Sequence, residues 1–234
     1  MALTVRRIAN ALVREFQRLW ANLAPAQRPP PPEPQDAALF AEVFTWVSQY
    51  LARPHEQLGR KGAVCPFAKP ALEANQIQVA KSGADGTSRL ALRSVLLRHA
   101  AGFAARLQGE AANMYASLVV VFPRMPADRF HRLDELHDEL KTRLMTSDIM
   151  VSSFHPRSEK PALWNPAFRV LRAPFAGFAF RKMDVRDIVF VEHNQRAFAH
   201  YRLRFRDLYA RGAVSDEHGY ATAYAQAVRR FAEG

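Results

Sequence analysis

The 234 residues hold one cysteine, Cys65. An internal disulfide is therefore excluded, and a reducing, cytoplasmic setting is the expectation. Long apolar runs are missing too. No stretch reaches the roughly 18 apolar residues of a membrane-spanning helix. In the opening MALTVRRIANALVREFQRLW, arginines interrupt anything resembling a signal-peptide core. The chain also lacks HExxH, HxH, a Cys/His cluster, GxSxG, a P-loop and GxGxxG. These absences weigh against a zinc hydrolase, a serine hydrolase and a Rossmann oxidoreductase. Acidic side chains are scarce, 22 against 33 Lys and Arg, which leaves a formal net charge of +11. Such a surplus favours contact with phosphates, carboxylates, nucleic acid or a membrane surface, without choosing among them.

What is present reads as an ordinary globular chain, 49% apolar and 24% charged. Val5, Ile8, Leu12, Phe16 and Leu19 recur three or four apart, which predicts an N-terminal amphipathic helix within residues 1–24. Residues 25–35 include four consecutive prolines and predict an extended linker. The main domain is then 36–234. Within it the patterns predict helices over 36–51, 88–109, 129–145, 197–212 and 219–232. Strands are predicted near 75–83, over 117–123 and 148–154, and in the short runs FRVLR (168–172), AGFAFRK (176–182) and DIVFVE (187–192). Strands and helices mix without βαβ alternation, so the fold class expected is α+β, one domain with a central sheet flanked by helices.

Two stretches carry candidate chemistry. In VCPFAKP, Cys65 sits in a Gly- and Pro-rich loop with Arg60, Lys61 and Lys69 close in sequence. Nearby positive charge is the setting in which thiols attack electrophiles or ligate metals. A small buried apolar role is the competing reading. Pro66 fixes the local backbone. In SFHPRSEKPALWNP, His155 follows a strand and precedes a proline, with Arg157, Ser158 and Lys160 as donors for a carboxylate or phosphate. Imidazole is a common axial ligand to haem iron; a hydrogen-bonded turn histidine is the alternative. His99 and His137 fall on apolar helix faces and read as core histidines. Residues 169–211 interleave ten Lys and Arg with Phe175, Phe178, Phe180, Phe190, Phe198, Tyr201, Phe205 and Tyr209. That pattern suits single-stranded nucleic acid by stacking and phosphate contact. The simpler reading turns the aromatics into the core and leaves the arginines solvated.

Taken in order, VCPFAKP, SLVVVFP, LDELHDELK and SFHPRSEKPALWNPAF resemble a bacterial group of CPF-type domains and, more distantly, the YqcI/YcgG-like family. That resemblance spans roughly residues 60–195. The family includes haem-dependent enzymes that hydroxylate a guanidine nitrogen of arginine. It implies a non-covalent b-type haem and an amino-acid-like substrate. It also implies O2 with an electron donor or peroxide, in natural-product biosynthesis. His155 would be the iron ligand or a pocket residue, with Cys65 as the alternative ligand. Pro66, Phe67 and Phe154 would line the pocket. Arg157, Ser158 and Lys160 would hold a haem propionate or the substrate carboxylate. The family has an arginine where Lys160 stands, which puts the substrate in doubt. A non-enzymatic module for an acidic partner such as nucleic acid, and a cofactor-free enzyme with Cys65 as nucleophile, remain open, as does a homodimer.

Overall fold

The structure is a computed structural model that describes residues 34–108, 114–216 and 218–232. The N-terminal helix and most of the proline-rich linker expected above lie outside the described residues. A mixed four-stranded sheet forms the centre, with helices on both faces, so the α+β expectation holds.

Helix α1 (Pro34–Trp46) runs on into a π-helical turn over Val47–Leu51, and the short helix α2 spans Ala68–Glu73. Strand β1 (Ile77–Lys81) leads through α3 (Arg89–Leu107) to β2 (Ser117–Val121). Then come α4 (His131–Met145), β3 (Ile149–Phe154), β4 (Gly177–Lys182), α5 (Gln195–Ala210) and α6 (Tyr220–Ala232). The sheet order is β1-β2-β4-β3, with β1 and β2 parallel and the other two pairings antiparallel.

Alternation along the strands sorts side chains between the two faces. Leu118, Val120, Ile149, Val151, Phe178 and Phe180 pack under α3 and α4, against Leu92, Leu96, Phe103, Leu133, Leu136 and Leu140. Val119, Val121 and Phe154 face the other way, toward Val43 and Trp46 of α1, Val47 of the π-helical turn and Phe175. SLVVV reads as an unbroken apolar run because β2 is covered on both faces. A third cluster joins α5 and α6 to Met145, Met150, Met183 and Ile188.

Two expected strands are not strands. FRVLR lies in turns: the Tyr50 hydroxyl donates to the Val170 carbonyl, and the Arg172 amide donates to the Arg169 carbonyl. The run DIVFVE falls in a 3₁₀ helix over Val185–Phe190. Asp184 caps it, and the Asp187 side chain returns a bond to the Asp184 amide, a reciprocal box that strand pairing would break. Val185, Ile188 and Val191 are three apart, the period of a 3₁₀ turn, and the last two are fully buried.

One glycine makes room for Phe154. Gly177 stands opposite Phe154 in the β3–β4 register, and a β-carbon on it would lie 2.1 Å from Phe154 Cε2. The Phe154 ring therefore lies over the bare glycine and packs on Trp46 and Phe175, with ring centres 5.0 and 5.7 Å away. We expect Gly177→Ala to cost about 1–3 kcal/mol in urea unfolding. Adding Phe154→Leu should restore part of that loss, because the smaller side chain vacates the contested space. Equal stability of Gly177→Ala and wild type would contradict this packing.

Candidate functional site

His155 follows directly on β3. Alternation turns Ser153 and His155 to the α4 face and Phe154 to the opposite one. Both polar side chains meet Asp134 in the first turn of α4. Ser153 Oγ donates to Asp134 Oδ1 at 2.6 Å, and His155 Nε2 lies 2.9 Å from Asp134 Oδ2. Ser153 is fully buried and His155 is 2% exposed, while Asp134 keeps a partial opening to solvent. Burial alone would raise the Asp134 carboxyl. The hydrogen bonds from His155 and Ser153 outweigh it and hold the group below its ordinary value. The Phe130 ring covers the imidazole at 5.1 Å between centres. His155 Nδ1 is buried and has no hydrogen-bond partner.

A second polar group adjoins the first. Lys160 Nζ is 2.5 Å from His137 Nδ1, 3.3 Å from Asp138 Oδ1 and 3.8 Å from Asp134 Oδ1. His137 Nδ1 also lies 2.7 Å from Asp138. One nitrogen cannot accept from Lys160 and donate to Asp138 at once. An ammonium only donates, so Nδ1 accepts and Asp138 is served by Lys160. Burial and then the Lys160 charge push His137 below its ordinary value, so it is neutral at pH 7. His137 is thus a satisfied, largely buried histidine, as read from the sequence, though its partner is polar. His99 is half-buried on α3, its basicity lowered by burial.

Cys65 is elsewhere. It packs beside the cluster of Val43, Trp46 and Phe154, on the face away from Asp134, and is partly exposed. Its amide donates to the Leu51 carbonyl, and its carbonyl accepts from the Ala68 amide. The CPF element is used for structure through Phe67. Arg181 and Arg186 lie over the Phe67 ring at 4.1 and 4.2 Å, and each guanidinium is tied to an aspartate, Asp187 and Asp184 respectively. Such cation–π contacts contribute about 0.5–2 kcal/mol each. Cys65 and His155, expected to share a pocket, are thus separated by the sheet, and Phe154 points away from His155 into the Trp46 cluster. Of the remaining candidates, Ser158 is fully buried, its amide donating to the His155 carbonyl; Arg157 is exposed; and Lys160 is held by His137 and Asp138. These three do not converge on one anion.

Asp134 and Ser153 were not among the expected site residues. The signal for Asp134 was there: Asp134, His137, Asp138 and Lys141 recur as a polar stripe at helical spacing beside the apolar face of α4. Ser153 and His155 are two apart on a strand and so share a face.

The donor pattern around His155 fits a metal-ligating histidine. Such ligands are typically held by a carboxylate on one ring nitrogen while the other binds metal, and Nδ1 is uncommitted here. Room does not fit as well. Two surface pockets are lined by other residues, and neither includes His155 or Cys65. No group of three or more His, Cys, Asp or Glu side chains is placed to hold a metal ion among the described residues. Among them, too, no helix is long and apolar enough to cross a membrane.

In the basic, aromatic segment most rings turn into the core, while Phe190 is exposed and Tyr209 half-buried. Phe175, Phe178, Phe180, Phe198, Tyr201 and Phe205 are buried. Arg169 and Arg172 pair with Glu159, Arg181 with Asp187, Arg186 with Asp184 and Arg204 with Asp148. Rings committed to the core are not available for stacking on bases.

No curated protein and no solved structure matches the chain. Residues 40–216 match the family model described as Domain of unknown function (DUF6875), and the chain belongs to that family.

Proposed function

We propose that the protein is a haem-dependent oxygenase acting on a nitrogen of a small amino-acid-like metabolite, with His155 as the residue that faces the iron. One observation carries the reading: a buried imidazole anchored by Asp134 with its second ring nitrogen unpartnered. An uncommitted buried nitrogen is costly, and a metal would give it a partner. The likeness of the HPRSEK stretch to haem-dependent N-hydroxylases supports the same assignment. Bound haem would supply oxygen activation. The chain would supply the ligand, and Asp134 would set the tautomer and raise the basicity of the ring. This reading gives Cys65 no part, since it packs on the other face of the sheet. Since Phe130 and Asp134 enclose the imidazole, binding requires the enclosing side chains to move.

Absorption spectra of the full chain, expressed with a haem precursor, test this. The expected result is near-stoichiometric haem with a reduced-CO band of histidine type. His155→Ala should abolish or shift the Soret band, and Cys65→Ala should leave it unchanged. A thiolate-type band lost in Cys65→Ala would overturn the assignment of the ligand. Protein that stays colourless during haem titration would end the haem reading.

The enclosure of His155 favours a second reading, an enzyme without cofactor in which Asp134 and His155 move a proton. Asp134 and Lys160, each about a quarter exposed at 28% and 23%, are its route to solvent. It is left standing by a colourless protein, and inactive Asp134→Asn and His155→Gln variants of a colourless, active enzyme would support it.

A further inference from the structure

We propose that the cavity between Tyr50 and Phe168 is a binding site for a small aromatic carboxylate, held by Arg169 and Arg172. It stands apart from the haem reading and shares no residue with the Asp134–His155 pair.

The cavity measures about 340 Å³ and is lined by Tyr50, Gln57, Ala167, Phe168, Arg169 and Arg172. That volume is at the small end for ligand sites, the size of a single ring with a short substituent rather than a large cofactor. The walls suit a flat ring. Phe168 is stacked on His55 at 4.4 Å between centres, and Tyr50 is set edge-on to His55. His55 is itself fixed, with Nδ1 accepting from the Gln57 amide at 3.2 Å. The Tyr50 hydroxyl is spent on the Val170 carbonyl at 2.9 Å, so the phenol presents ring rather than polar edge. Stacking surfaces that are already immobilised lose little entropy when a ligand docks.

The rim suits a carboxylate. Glu159 already shows the geometry: its Oε2 accepts from Arg169 Nε at 2.8 Å and its Oε1 accepts from Arg172 Nη2 at 2.5 Å. Two guanidiniums therefore converge on one carboxylate, the charge-assisted pairing arginine makes best. Arg169 Nη2 and Arg172 Nη1 carry no partner among the described residues, and two positive charges against one negative leave a surplus for an anion. Glu159 is 68% exposed, so its hold on the arginines is weak and easily exchanged. Glu159 is a built-in occupant that a ligand carboxylate displaces or joins. The site is also rigidly placed, since Arg172 Nε donates to the Ser158 carbonyl and the Ser158 amide donates to the His155 carbonyl.

Titration of the full chain with benzoate, followed by calorimetry and by protein NMR, tests the proposal. Wild type should bind saturably with a dissociation constant on the order of 1 mM. Glu159→Gln should tighten binding about fivefold by freeing the guanidiniums. Arg172→Gln should weaken it by about tenfold or more. Shifts should centre on Tyr50 and Phe168, and Phe168→Leu should weaken binding without changing the thermal midpoint. Benzyl alcohol, which has the ring and no charge, should not bind. Acetate, which has the charge and no ring, should bind more weakly than benzoate. Benzoate affinity unchanged by Arg172→Gln, equal binding of benzyl alcohol, or no saturation in Glu159→Gln would each overturn the site. All these side chains are partly or fully exposed, so loss of binding is separable from loss of the fold by circular dichroism.

Discussion

Asp187→Ala is expected to lower the unfolding free energy by about 3–5 kcal/mol, seen as a fall in the urea midpoint. Asp187 is fully buried, yet every oxygen of its carboxylate is used. Oδ2 accepts from Arg181 Nη1 at 2.8 Å and from the Asp184 amide at 2.8 Å, and Oδ1 accepts from Arg181 Nη2. Burial by itself would make Arg181 a weaker base, and the facing Asp187 charge more than reverses that, leaving Arg181 above its ordinary value. Removing the carboxylate leaves a desolvated guanidinium unpaired, the costly way to break a buried ion pair. It also opens the capping box that starts the 3₁₀ helix. The damage should spread to the CPF element, because Arg181 lies over the Phe67 ring. Asp187→Asn should fall between wild type and alanine, since it keeps an acceptor for the Asp184 amide but not the charge. A loss below about 1 kcal/mol for Asp187→Ala would mean that the pair behaves like a surface salt bridge.

The sheet was legible because its strands are apolar runs of strand length closed by turn residues. SLVVV ends two residues before Pro123, and DIMVSSF and AGFAFRK contain β3 and β4. Helices with a clear stripe were also legible: the run expected over 129–145 is α4 at 131–145. Illegible were segments whose conformation depends on polar bonds rather than periodicity. DIVFVE has the composition of a strand, and the Asp184–Asp187 box starts a helix there instead. FRVLR is held in turns by Tyr50, 120 residues away. For the site, His155 stood out by its place at a strand end. Its partner did not, because contact between residues 134 and 155 is made by α4 lying across β3. Cys65 and Phe154 come to lie on the other face for the same reason. Sequence places all three near strand ends or loops, but only the pleat decides which face of the sheet each meets.

Asp134 carries the other large effect. Asp134→Ala should cost about 2–4 kcal/mol, because it strips the acceptor from two buried donors, Ser153 and His155, and one neighbour from Lys160. Asp134→Asn should cost less, since an amide can accept from one donor but presents an N–H to the other. The two variants differ more tellingly in acid. The Asp134 carboxyl titrates lower folded than unfolded, burial opposing and the hydrogen bonds from His155 and Ser153 prevailing. Its stabilisation is therefore complete above the unfolded value, near pH 4, and is lost as pH falls through the folded value. Wild type should lose stability steeply below about pH 4, whereas Asp134→Asn should start lower at neutral pH and show a shallower acid limb. Parallel limbs in the two proteins would assign the acid sensitivity to other carboxylates, such as the solvent-facing Glu139 held by Arg93 and Arg89. Spectra extend the same comparison to function. If the protein binds haem through His155 and Asp134 fixes the tautomer, Asp134→Asn should keep haem but alter the reduced spectrum, while Ser153→Ala, which touches only the far oxygen, should alter stability and leave the spectrum in place.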